Sequence, residues 1–423
     1  MFLKIRSSYL NTLGRELSGQ LLEFGFRTVL GLIIIKKLSN HLGPELYGSL
    51  LFIESNYLLI MGLSVFGFEP VFIKYFSDKI DIKKYLINGI YLSFLISVIF
   101  FIMFYFFTFN FLDFEYSNYL FYVSFLILFN TSFFAEYFLH SESKIRYISL
   151  IRTFAYIIGF VLKITAIYNG YELLYFVQIM LIENLVIHII YYSLLIKNFC
   201  GDVKFELPEL SIIKKIFLST FYVFLYGLGL NLSSRIDILM IEKYLDLTDL
   251  GNYTAALKLV SFTYIFPVLL ATTFYPKILK VKETNKKLIS RMYFFSFWTS
   301  ILIFVFAVII SDQLIDFFYD QNFSSVKIIF KISIIPILFG GISATYIKRL
   351  YMQEKQKNIF IRSIFGIILN ITLNLLLIPD YGVIGVSIAT VTSILILEIV
   401  YDFFDSSLRG EHILKLRSIF TYN

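Results

Sequence analysis

Charge is what this sequence has least of for its size. Only 16% of its 423 residues are Asp, Glu, Lys or Arg, where an ordinary soluble domain carries about a quarter. So few charges cannot coat a soluble protein of this length, and lipid is expected to cover much of the surface. Cys200 is the single cysteine, which excludes an intrachain disulfide, and no His/Cys cluster suggests a structural metal. No Walker loop, His-Glu-x-x-His or Gly-x-Ser-x-Gly occurs. A primary pump driven by ATP on this chain is thereby excluded, and nothing calls for a cofactor or marks the chain as an enzyme. Met1 to Gly14 is short, polar and basic. It lacks the apolar core and cleavage site of a signal peptide, so the first apolar span is expected to stay as a membrane anchor.

What is present is apolar: 58% of residues are hydrophobic and the mean hydropathy is +0.77. A hydrocarbon core of about 30 Å needs about 20 mostly apolar residues per helix. That rule predicts spans near 14–36, 45–67, 85–109, 118–139, 148–168, 173–196, 217–240, 253–275, 292–311, 328–350, 359–378 and 382–402. The fold class is therefore all-α and polytopic, with about twelve transmembrane helices. The gaps hold turn formers, such as Gly43-Pro44, Asn169-Gly170, Pro379-Asp380 and Tyr381-Gly382. None is long enough for a soluble catalytic domain. Loops on one side carry about 26 Lys and Arg, those on the other only Lys36, Lys37, Lys243 and Lys327. The positive-inside rule then places both termini in the cytoplasm. Basic residues spread between apolar runs do not suit nucleic-acid binding, and the net charge of +7 reads as loops facing anionic headgroups.

The basic loop at 197–216 divides the chain near its middle. This predicts an N-terminal six-helix lobe over 1–200, a cytoplasmic linker over 201–216, a C-terminal six-helix lobe over 217–402 and a cytoplasmic tail over 403–423. Faint repeats agree. Ile151-Arg152-Thr153 opens the fifth span and Ile361-Arg362-Ser363 the eleventh, each after a polar loop with a Glu (Glu142, Glu354). The first span carries Arg27 and the seventh Arg235, each ahead of a similar turn.

An ionisable side chain at the bilayer centre costs at least about 2.5–3.5 kcal/mol, so each one here needs a partner or a polar cavity. Arg152, Lys258, Lys331 and Arg362 lie within about two turns of a helix end, where long stems snorkel to the headgroups. Glu23, Arg27, Glu54, Lys163, Glu183, Arg235 and Asp237 lie deeper. Glu23 and Arg27 are spaced for an ion pair along one helix, while Arg235 and Asp237, two apart, face different ways. Glu54 and Glu183 have no basic neighbour on their own helix. His188 reads as a satisfied packing residue. Pro267 and Pro336, inside spans eight and ten, should bend the backbone.

Three stretches carry a family resemblance. The first is Leu42-Gly43-Pro44-Glu45-Leu46-Tyr47-Gly48. The second runs from Arg235-Ile236-Asp237 through Leu250-Gly251-Asn252-Tyr253-Thr254-Ala255-Ala256 to Phe274-Tyr275-Pro276-Lys277. The third spans Asn370 to Thr390, with Pro379-Asp380-Tyr381-Gly382 at its centre. In these the chain resembles the Wzx-type O-antigen flippases of the MOP exporter superfamily, relatives of the MATE drug exporters. The resemblance implies two six-helix lobes in a V around a central cavity. It implies a substrate of oligosaccharide on undecaprenyl pyrophosphate, carried from the cytoplasmic to the periplasmic face of the bacterial inner membrane. The polymerase and chain-length regulator of the same pathway become its expected partners. Arg27, Arg235, Lys163 and Arg152 become candidates for contact with the pyrophosphate or an acidic sugar, and Asp237, Glu54 and Glu183 for ion coupling. A MATE-type drug or cation antiporter is the alternative; a membrane-embedded polymerase fits less well, because the outer loops are all short.

Overall fold

The computed structural model describes residues 2–79, 81–111, 117–142, 144–199, 207–233, 235–280, 286–353 and 355–420. Side chains at 2–24, 109–117, 265–286 and scattered other positions lie outside that description, so the expected Glu23–Arg27 pair and the motif Phe274–Lys277 do too. Among the described residues every regular element is helical. Lipid offers no hydrogen bonds, and a helix satisfies its own backbone.

The first half comprises α1 (Phe2–Ser64), α2 (Phe68–Ser77), α3 (Ile82–Phe111), α4 (Ser117–Ser124), a 3-10 turn (Phe125–Phe133) running into α5 (Phe134–Ser141), α6 (Ile145–Tyr168) and α7 (Leu173–Phe199). The second comprises α8 (Leu210–Ser233), α9 (Ile236–Tyr244), α10 (Leu247–Lys280), α11 (Lys286–Ile309), α12 (Ser311–Phe318), α13 (Val326–Ser333), α14 (Ile337–Met352) and α15 (Gln356–Leu395). The last of these continues through a π-helical turn, Ile396–Tyr401, to Phe404, and α16 (Ser406–Phe420) closes the chain.

All twelve apolar runs fall on helices, the seventh divided between α8 and α9. Seven helices among the described residues are long and apolar enough to cross a membrane, eight counting the pair Val326–Ser333 and Ile337–Ile347. That pair bends by 42° where Pro336 removes a backbone donor, as expected. Two of the long helices, Gly25–Ser64 and Lys357–Phe404, each carry two runs. Each is folded at a glycine with positive φ, Gly43 at 70° and Gly382 at 52°, a region other residues rarely enter.

The outward faces of the long helices are apolar and their inward faces carry buried hydroxyls, as in a protein solvated by lipid. On α11, Leu302, Phe306 and Ile309 are 71%, 64% and 69% exposed, while Ser296 and Ser300 of the same helix are fully buried. Ile99 and Met103 of α3 are likewise exposed, and Ser93 and Ser97 buried. The chain is a multi-pass membrane protein.

The helices form two compact units, one of Met1–Leu42 with Phe52–Asn231, the other of Gly43–Leu51 with Leu232–Asn423. In the first, α8 packs on the turn after α1. Phe66 stacks on Phe217 at 5.5 Å and on Phe224 at 4.4 Å, and Lys215 donates to the Tyr85 hydroxyl at 2.8 Å. In the second, the segment Gly43–Leu51 crosses the start of α10. A Cβ on Gly251 would lie 1.9 Å from the Pro44 carbonyl oxygen, and one on Gly48 2.2 Å from that of Leu247. Two of the three family-like stretches thus touch backbone to backbone.

Candidate functional site

In the first unit, four membrane spans bring ionisable side chains together. Lys163 of α6 donates to both carboxylate oxygens of Glu183 of α7, at 3.0 and 2.9 Å. Glu183 reaches across α6 at Gly159, where a Cβ would strike its carboxylate. Two turns before Lys163 on the same face, the Tyr156 ring carries the Arg27 guanidinium at 5.1 Å from its centroid. Arg27 and Glu54, from the two limbs of α1, both lie within electrostatic range of Glu183. Four of the residues singled out from sequence therefore share one half-buried cluster of both charges. Tyr156 was not among them. Its signal was its place two turns before Lys163, on the same helical face.

Arg152 does not join this cluster. Eleven residues separate it from Lys163, about 16 Å along the helix. Its guanidinium donates to Glu136 of α5 at 2.5 Å, and the Tyr191 hydroxyl donates to the other oxygen of the same carboxylate at 2.6 Å. His188 is the satisfied packing residue expected: it is buried, with Nδ1 2.7 Å from the Ser132 hydroxyl.

The second unit holds a different kind of site around Asp237 of α9. The fold-back of α15 at Gly382 places Asn370 and Asn374 opposite Thr390. The Asn374 amide donates to Asp237 Oδ1 at 2.9 Å. The hydroxyls of Tyr253 and Thr390 donate to Oδ2 at 2.8 and 2.6 Å. Asn370 joins through the Thr390 hydroxyl at 3.2 Å, and the Asn374 side-chain oxygen is buried without a hydrogen-bond partner. The partners of Asp237 are all neutral, and the donor set is all oxygen and amide. Such a set suits a hard monovalent cation or a proton. The asparagines were missed as site residues although the third family-like stretch contains them. Their four-residue spacing inside an apolar run was the available signal. Arg235, at the start of α9, is half-buried. Among the described residues no group of three or more His, Cys, Asp or Glu could hold a metal ion.

One expectation is corrected. Arg362 does not snorkel to the headgroups. It is buried, donating to Glu398 at 2.7 Å and Asp402 at 3.1 Å, because both acids lie on the returning limb beyond Gly382. The segment beyond the last span folds as α16, which Asp405 caps by accepting from the Ser407 backbone N–H at 2.9 Å. Burial alone would raise the Asp405 carboxyl, but its hydrogen bonds from Ser407 and Asn358 hold it below the usual range.

Helices of this number, lipid-facing apolar surfaces and polar clusters inside each unit define an all-helical multi-pass membrane fold. The chain belongs to the polysaccharide biosynthesis protein family, whose model matches residues 20–282. A search of curated proteins finds no match. Among solved structures it is similar to the lipid II flippase MurJ in an inward closed conformation, with a TM-score of 0.75 and 17% identity over 95% of this chain and 87% of that one. It is also similar to an inward-facing multidrug resistance MATE family transporter of the MOP superfamily, at 0.69 and 12% over 93% and 95%. A third is a MOP superfamily transporter from Pyrococcus furiosus described as having a binding pocket of reverse polarity, at 0.57 and 15% over 96% and 94%. At these identities the likeness establishes the fold.

Asp237→Asn is expected to cut transport at least about tenfold with the membrane level of the protein unchanged. The Tyr253 and Thr390 hydroxyls can turn to accept from the new amide, so the network survives while its charge is lost. Complementation of a deletion strain, with immunoblotting of the membrane fraction, measures both. Wild-type transport in this variant would remove Asp237 from the candidates.

Proposed function

We propose that the protein is a flippase for undecaprenyl-pyrophosphate-linked oligosaccharide repeat units of an O-antigen or capsule. It moves them from the cytoplasmic to the periplasmic face of the inner membrane by alternating access, with both termini in the cytoplasm. The observation that carries this reading is the first unit's cluster, in which Arg27 and Lys163 stand among membrane spans. Moving a pyrophosphate through hydrocarbon requires cations that are already inside. The guanidinium fork matches phosphate oxygens, Lys163 supplies a point charge, and the polyprenyl tail stays in lipid. Arg235 is a further candidate cation for the same anion. Membership of the polysaccharide biosynthesis family and the fold shared with a lipid II flippase support this substrate class. The neutral-lined carboxylate of Asp237 is the proposed coupling-ion site.

A deletion strain is expected to accumulate undecaprenyl-linked repeat units inside the cell and to lose surface polysaccharide. Thin-layer or mass-spectrometric analysis of the lipid fraction reads the first, and surface labelling the second. Normal surface polymer would sink the proposal. The fold shared with multidrug MATE transporters favours a drug antiporter as second reading, which predicts altered drug sensitivity in the same strain.

A further inference from the structure

The cluster around α16 plays no part in the transport site just described. This helix buries charge where an ordinary amphipathic helix buries an apolar stripe. His412 and Lys415 are fully enclosed and Glu411 nearly so. His412 Nε2 lies 3.1 Å from the Ile399 carbonyl oxygen, and Nδ1 lies 3.5 Å from Asp402 Oδ2. Both neighbours are acceptors. A carbonyl carries no proton, and Asp402, which accepts from Arg362 Nε through Oδ1, presents Oδ2 to the ring. A neutral imidazole has a single N–H. One tautomer sets the Nδ1 lone pair against Oδ2; the other sets the Nε2 lone pair against the carbonyl. Nδ1 and Oδ2 are in fact both buried with no hydrogen-bond partner, and so is the hydroxyl of Tyr346, whose ring lies beside His412. Only an imidazolium donates in both directions.

We propose that His412 is a buried proton-binding site, held as an imidazolium between Asp402 and the Ile399 carbonyl, and that this proton latches α16 to the end of the last span. Closing the 3.5 Å gap to a charge-assisted bond of about 2.7–2.9 Å requires a shift of about 0.6–0.8 Å. The groups facing the pair come from every neighbouring element. Tyr346 stands on α14 and Arg362 on α15. Glu398 and Tyr401 stand on the last span. Lys415 of α16 lies 4.0 Å from Asp402 Oδ2. Beyond them, Glu411 is engaged by Tyr293 of α11 and by Arg349 and Gln353 of the segment that ends α14. Arg362 and Lys415 balance Glu398 and Asp402 before the proton binds. The latch is closed while the proton is bound and weakens when it leaves.

The test uses the full chain, labelled with 15N-histidine, in lipid bilayers. Solid-state NMR at about pH 6 should show both ring nitrogens of His412 protonated. The resonance is assigned by its loss in His412→Gln or, if that variant does not fold, as the one remaining when His41, His140 and His188 are replaced by Gln. Hydrogen exchange, corrected for intrinsic rates, should show protection of residues 406–420 falling several-fold more than that of the spans between about pH 6 and pH 8.5. In Asp402→Asn the new amide can donate to Nδ1 of a neutral ring and keep its oxygen for Arg362. This variant should retain protection at the higher pH with a neutral ring. A neutral His412 at the lower pH in the wild type, or wild-type protection that does not change with pH, would overturn the proposal.

Discussion

Arg27→Ala is expected to remove surface polysaccharide from a complemented deletion strain while the protein stays in the membrane at its wild-type level. Arg27 rests on the Tyr156 ring face, and a cation–π contact is worth about 0.5–2 kcal/mol. A charge-assisted bond to phosphate is worth about 1.5–3 kcal/mol, so its loss lowers transport by roughly 10- to 150-fold. Arg27→Lys should recover part of this, because charge is kept while the fork and the stacking are lost. Lys163 behaves differently. Removing it alone strands Glu183, and a stranded buried charge costs about 3–5 kcal/mol. Lys163→Ala should therefore lower abundance as well as transport. Adding Glu183→Gln should restore abundance without restoring transport. Full activity of Arg27→Ala, or of the double variant, would take these cations out of the substrate path.

Truncation before Ser406 is expected to deplete the protein from the membrane altogether. Without α16, Arg349 loses Glu411 as acceptor, the Tyr293 hydroxyl loses its bond of 2.9 Å, and Glu398 loses one of its two cations, Lys415 at 3.2 Å. Each unpaired buried charge costs about 3–5 kcal/mol, against a typical net stability of about 5–15 kcal/mol. The point variant Glu411→Ala should show a smaller loss of the same kind. Glu411→Leu combined with Arg349→Met should recover most of it, since an apolar pair of similar volume can replace a buried ion pair. Size-exclusion profiles of a fluorescent fusion in detergent read all three. A truncated chain with a wild-type profile would show α16 to be dispensable.

The charges show where reading the sequence stopped short. Depth along a run singled out Glu183 and Lys163, twenty residues apart on successive spans, but their pairing was not visible in either helix alone. Arg362 misled for the same reason. Its position near a helix start fits snorkelling, and its partners, Glu398 and Asp402, come from a limb that returns only because the chain folds at Gly382. The charges of α16 look like those of a solvated tail until Arg349 and Asp402 stand opposite them.

The sequence by itself determined the membrane spans and the reversals between them. Lipid tests each stretch of about 20 residues alone for apolar content, and glycine sets the turns through local backbone freedom. Only the tertiary structure decided which charges neutralise each other and which carboxylate, that of Asp237, is left among neutral donors. Pairing depends on the rotation and neighbours of each helix, and these are set by packing between segments far apart in the chain.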